Sequence, residues 1–112
     1  MRLWVQAYNR RDLGEIMHLY SPDAVMELAP GGTSFGVNEI RSRLAKTFAT
    51  LGMSLLIRNE IYMGQWAAIE WQDPVGLEGC TIFRIEEGLI RLHRSYWDSA
   101  KLIAAYGPDR AN

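Results

Sequence analysis

Residues 77–99 read LEGCTIFRIEEGLIRLHRSYWDS. β-Branched and aromatic residues fill the two flanks, and Glu86-Glu87-Gly88 between them carries turn chemistry, so the segment reads as two strands of a hairpin. Working back toward the N-terminus, QWAAIEWQD and SLLIRNEIYM read the same way, with Asp73-Pro74-Val75-Gly76 and Gly64 as their turns. Four consecutive strands with short connections predict an antiparallel meander.

The chain before this block has a different periodicity. Trp4, Val5 and Tyr8 suggest a helix entered almost at Met1, and Leu13, Ile16, Met17, Leu19 and Tyr20 predict a second over roughly 13–20, ended by Ser21-Pro22-Asp23. AVMEL (24–28) reads as a short strand and PGGTSFG (30–36) as a loop or small hairpin. Ile40, Leu44 and Phe48, spaced four apart, give the clearest helix, with Asn38 as its N-cap and Gly52 as its stop. Asp98 is expected to cap a final AKLIAAYG helix. Helices segregated from strands define the α+β class, expected as a curved antiparallel sheet wrapped around three helices.

Composition narrows the function classes. The 112 residues fit a single domain spanning 1–112, and 48% of them are hydrophobic, enough for a core. Apolar runs are too short to span a membrane, and the first residues lack a signal-peptide pattern. Cys80 is the only cysteine, which fits a reducing compartment and a cytoplasmic location. With 12 basic and 13 acidic side chains and no basic stripe, binding to nucleic acid is disfavoured. Two histidines without a Cys or carboxylate cluster predict no metal site.

Apolar residues occupy both registers of the strands. In WAAIEW (66–71), Trp66 and Ala68 alternate with Ala67, Ile69 and Trp71. Helices can cover only one face, so the other is expected to meet a second copy of the chain in a homodimer.

AYNRRDLGEIMHLYSPDAVMELAPGG, FGVNEIRSRL and FRIEEGLIRLHRSYWD, in that order, resemble the SnoaL-like branch of the nuclear-transport-factor-two-like superfamily. The resemblance implies a cone in which a bent sheet wraps three helices around a deep, mostly apolar pocket, with dimers through the outer surface. The helix before AYNRRD is shorter here than in that family. The same cone hosts steroid isomerases, polyketide cyclases, epoxide hydrolases, dehydratases and members without catalysis, so the pocket residues must decide.

Laid on this chain, the ketosteroid isomerase pattern puts Leu28 where a carboxylate base is needed, and Trp4 and Thr81 where the oxyanion-hole Tyr and Asp are needed. The limonene-epoxide-hydrolase relay falls at Asp73, Trp71 and Ser95, and its water-positioning pair at Met26 and Leu28, so only Asp73 matches. These resemblances imply that Met26, Leu28, Ile69, Trp71, Asp73, Thr81, Phe83, Ile85, His93, Ser95 and Trp97 face inward. Strand alternation then separates His93, Ser95 and Trp97 from Arg94, Tyr96 and Asp98, and prevents a His93–Asp98 dyad.

The candidate catalytic residues are therefore His93 and Asp73. A buried His93 beside a carboxylate would be poised for proton transfer only if the two meet across the sheet. Asp73, immediately before Pro74, equally suits a turn. Met26, Leu28, Trp71, Thr81, Phe83, Ser95 and Trp97 are the expected ligand-binding residues. Two functions stand open. One is a cofactor-free enzyme moving a proton on a small hydrophobic carbonyl, polyketide or terpenoid-like molecule. The other is a non-catalytic ligand-binding or protein-interaction module.

Overall fold

The computed structural model describes residues 1–50 and 54–107. Its elements run α1 (Arg2–Asn9), α2 (Leu13–Met17), β1 (Tyr20–Ala29), β2 (Gly32–Phe35), α3 (Gly36–Thr50), β3 (Leu56–Met63), β4 (Trp66–Gln72), β5 (Glu78–Glu86), β6 (Leu89–Trp97) and α4 (Ser99–Tyr106). The six strands form one open sheet in the order β2-β1-β6-β5-β4-β3.

The meander β3 to β6 is antiparallel, as its short turns require. At the β5–β6 turn Glu87 and Gly88 both have positive φ, 54° and 79°. A two-residue loop with two left-handed positions matches the twist of the flanking strands, and Glu86 opposite Leu89 closes it.

Two expectations need correction. The sheet is mixed, because β1 lies parallel to β6, with Met26 opposite His93 and Leu28 opposite Ser95. No tight turn joins these strands, so nothing local fixes their direction. There are also four helices among the described residues, since Asp98 does cap α4, its carboxylate accepting from the Ala100 N–H at 2.8 Å, and Leu102 is buried.

Boundaries near the N-terminus also differ from the expectation. α2 stops at Met17 and Tyr20 already belongs to β1, so Ser21-Pro22-Asp23 lies inside the strand. The register against β6 shifts there: the five-residue advance along β1 from Tyr20 to Val25 matches a two-residue advance along β6 from Ile90 to Leu92. Such an irregularity re-aims the strand, and it leaves the Tyr20 side chain buried among the inner-face residues. At the start of α3 the side chain of Glu39, not Asn38, does the capping, accepting from the Phe35 N–H at 2.9 Å. The expected stop at Gly52 lies outside the described residues.

The helices pack on one face of the sheet. α1 contributes Trp4, Ala7 and Tyr8, spaced to share one side; α2 adds Ile16 and Met17, α3 adds Ile40 and Leu44, and α4 adds Leu102. Opposite them, register places three rows of inner side chains: Ala67, Phe83, His93 and Met26; then Ile69, Thr81, Ser95 and Leu28; then Trp71, Gly79 and Trp97. The register implied by the sequence is the observed one.

Candidate functional site

His93 sits on β6, flanked by Phe83 of β5 and Met26 of β1, and is 4% exposed. Its Nδ1 lies 2.8 Å from the hydroxyl of Tyr20, and its Nε2 lies 2.9 Å from the Oγ of Ser95. Each neighbour carries the chain on. The indole N–H of Trp4 donates to the Tyr20 hydroxyl at 2.9 Å, the Ser95 Oγ lies 2.8 Å from the Oγ1 of Thr81, and the Trp71 indole N–H donates to that same Oγ1 at 3.0 Å. Six side chains from α1, β1, β4, β5 and β6 thus form one continuous buried line.

Aromatic rings close around it. The Trp4 ring centroid stands 5.1 Å from Phe83 and 5.4 Å from His93, while Phe83 and His93 meet edge to face at 5.0 Å. Burial without a neighbouring carboxylate disfavours the charged imidazole and pushes the His93 pKa down to about 3, so the ring is neutral at pH 7. The Tyr20 phenol is raised, chiefly by burial, and stays protonated.

Asp73 belongs to a different cluster. One carboxylate oxygen accepts from the backbone N–H groups of Val75 and Leu77, at 3.1 and 2.8 Å, forming the β4–β5 turn. The other accepts from the hydroxyl of Tyr106 on α4. Burial first, and then that bond to Asp73, push the Tyr106 pKa up to about 12. The expected pairing of His93 with Asp73 is not made, because both ring nitrogens and both carboxylate oxygens hydrogen-bond elsewhere. The turn-forming reading of Asp73 is the observed one.

Of the expected ligand-binding residues, Met26, Trp71, Thr81, Phe83 and Ser95 are buried and Leu28 and Trp97 are partly buried. Trp71 turns its ring over Gly79, where a Cβ would stand 2.2 Å from Cζ2. Trp97 presents a buried indole N–H that has no hydrogen-bond partner. A groove of about 660 Å³ at this end of the sheet is lined by Trp71, Gly79, Trp97 and Asp98 and by the outer-face row Ala29, Tyr96, Cys80, Glu70 and Asn59.

Sequence reasoning missed two members. Tyr20 was hidden because it reads as the last apolar position of α2, and only the register shift in β1 turns it toward His93. Tyr106 had a signal, standing four residues after Leu102 and so on the same helix face. Among the described residues no cluster of metal-ligating side chains occurs, and no helix is long and apolar enough to cross a membrane.

Residues 1–93 match the SnoaL-like domain family, and the chain belongs to it. Solved structures agree on the fold. A protein with a ketosteroid isomerase-like fold from Catenulispora acidiphila, crystallised with trimethylamine, superposes with a TM-score of 0.83 at 18% identity, over 95% of this chain and 90% of that one. An NTF2-like protein of unknown function from Burkholderia pseudomallei gives 0.81 at 21% identity, over 96% and 94%. An LEH-like epoxide hydrolase of M. tuberculosis gives 0.79 at 19% identity, over 94% and 84%. At such identities the likeness is one of fold alone. No curated protein matches in sequence.

Proposed function

We propose that this SnoaL-like domain binds a small apolar molecule against the inner face of its sheet, near Trp71 and Trp97, and does not use His93 as an acid or base. The commitment of both His93 nitrogens to Tyr20 and Ser95 carries this reading. A general base must have a free lone pair within reach of substrate and a pKa near the working pH, and a ring held neutral down to about pH 3 offers neither. Asp73, the other candidate, is occupied by its turn and by Tyr106.

The four tryptophans make the test self-controlled. Trp4, Trp71 and Trp97 face the core, whereas Trp66 is exposed on the outer face. Titration with 2-ethylnaphthalene, followed by the indole N–H resonances, is expected to move Trp71 and Trp97 and leave Trp66 unmoved. No binding, or movement of Trp66 alone, overturns the proposal.

One observation favours a second reading, cofactor-free proton transfer on a hydrophobic carbonyl compound. The line from Tyr20 through His93 and Ser95 to Thr81 is unbroken and each link can both accept and donate. That reading requires accelerated exchange of the methyl hydrogens of 2-acetylnaphthalene in D2O, lost in His93→Gln. The binding reading requires exchange at the buffer rate.

Pairing of two copies through the outer face is part of the proposal. Ile61, Met63, Trp66 and Tyr96 stand exposed on that face, around Ala68, Ile82 and Cys80. Contiguous apolar surface of this kind is what a self-complementary dimer covers.

A further inference from the structure

Three arginines among the described residues are partly withdrawn from water: Arg11, Arg43 and Arg94. Two of them have acceptors. Nε of Arg94 donates to Glu27 at 2.7 Å, and Nη1 of Arg11 donates to the Asn9 carbonyl at 3.3 Å. The Arg43 guanidinium makes no hydrogen bond or ion pair with any described residue.

The nearest carboxylates in sequence and register are turned away. Glu39, four residues earlier on α3, stands on the same side of the helix, yet its Oε1 accepts from the Phe35 N–H. Glu27, beside Leu28 on β1, faces outward to Arg94. Burial with no carboxylate to offset it holds the Arg43 pKa below its ordinary value. A long cationic side chain usually lays its stem on apolar surface and keeps its head in water, whereas here the head itself loses water.

The β1–β2 turn sets its position. A Cβ on Gly31 would stand 2.6 Å from Nη2 of Arg43 and 2.9 Å from Cβ of Leu28, so the guanidinium lies beside Leu28 over the turn. Leu28 is an inner-face residue opposite Ser95, and Trp97 follows Ser95 by two positions on the same face. Leu28 and Trp97 pack against the core but keep part of their surface in solvent. An apolar surface and a cation without a counter-ion thus share one end of the inner face.

Resting on the ligand-binding reading above, we propose that Arg43 is the counter-ion for a ligand carboxylate, so that the molecule bound along Leu28 and Trp97 is a small apolar carboxylic acid. A guanidinium meets a carboxylate with two parallel N–H donors, and one positive charge balances one carboxylate. A phosphate monoester near neutral pH carries more than one charge, which a single guanidinium leaves under-neutralised.

The probes are 2-naphthoate and 2-naphthamide, alike in shape and differing in charge, with 2-ethylnaphthalene reporting on the apolar surface alone. At neutral pH and low salt, naphthoate is expected to bind about tenfold more tightly than naphthamide, in line with a charge-assisted hydrogen bond. The Arg43 Nε–H resonance should move with naphthoate and stay in place with naphthamide. Arg43→Gln should abolish the preference while leaving the affinity for 2-ethylnaphthalene unchanged, and Arg43→Lys, which keeps the charge without the fork, should retain part of it. Ligand-free Arg43→Gln is expected to unfold at or above the parent's thermal midpoint, because an unpaired and partly desolvated charge is removed. A fall in that midpoint would make Arg43 a structural group and overturn the proposal. Equal affinity for naphthoate and naphthamide, or a preference that survives Arg43→Gln, overturns the carboxylate site, while binding of 2-ethylnaphthalene keeps the reading it rests on. Failure of all three probes to bind overturns both.

Discussion

The phenol oxygen of Tyr20 lies 2.8 Å from Nδ1 of His93, a residue 73 positions later, and this contact fixes what the histidine can do. With Ser95 on the other nitrogen, His93 is a neutral link between two elements that the sheet alone would hold in register only loosely around the β1 irregularity.

Stability should depend on that neutrality. The His93 pKa is about 3 when folded against an ordinary 6.5, so below pH 6.5 the unfolded chain takes up a proton that the folded chain refuses. A depressed folded pKa means the contribution is complete above pH 6.5 and is lost as pH falls toward 3, at about 1 kcal/mol per pH unit. Urea unfolding at pH 7.5 and 5 is expected to show a larger loss for the native chain than for His93→Gln. Equal losses would count against a buried neutral imidazole.

Tyr20→Phe removes the hydroxyl that both Trp4 and His93 use. Two buried groups lose their partner, so the expected destabilisation is about 2–4 kcal/mol, against about 1 kcal/mol for Trp4→Phe through the lost hydrogen bond alone. A double-mutant cycle of Tyr20→Phe with Ser95→Ala should show coupling through His93, and strict additivity would dissolve the line into separate pairs.

Much of the fold was legible because its signals are local. Strand runs, the Glu87-Gly88 turn and the Asp98 cap all act within a few residues, and alternation then fixed which residues face the helices. The parallel pairing of β1 with β6 was not legible, since nothing near Met26 specifies His93 as its neighbour. Half of the candidate site followed the same division. His93, Ser95 and Thr81 came from register, while Tyr20 needed an irregular strand and Asp73 was drawn into its own turn.

Gly79 makes room for an indole ring. A Cβ there would stand 2.2 Å from Trp71 Cζ2, so Gly79→Ala must displace the ring that donates to Thr81. A loss of about 1–3 kcal/mol is expected from overpacking, and a smaller further loss when Gly79→Ala is made in Trp71→Phe, which lacks the indole atoms that the Cβ would meet. Thermal unfolding measures it, and an unchanged midpoint would refute this packing.

The Tyr106–Asp73 bond ties α4 to the β4–β5 turn. Tyr106→Phe should speed hydrogen exchange of α4 amides such as Leu102 while leaving β5 and β6 protected, since the strands keep their ladders. Unaltered exchange in α4 would show that Leu102 alone docks the helix.

For the outer face, sedimentation is expected to give a dimer at micromolar concentration, with Ile61→Lys and Tyr96→Lys shifting it to monomer. Both residues are exposed in the single chain, so the substitutions should leave its fold intact. A monomer throughout would remove the dimer from the account.

The central claim is that His93 is a hydrogen-bonded neutral link and not a proton-transfer group. Nitrogen NMR of the histidine ring between pH 8 and pH 5 tests it most directly. The account requires His93 to keep Nε2 protonated and Nδ1 an unprotonated acceptor of the Tyr20 phenol throughout. A His93 ring that gains a proton near neutral pH, or one that carries its proton on Nδ1, would contradict it.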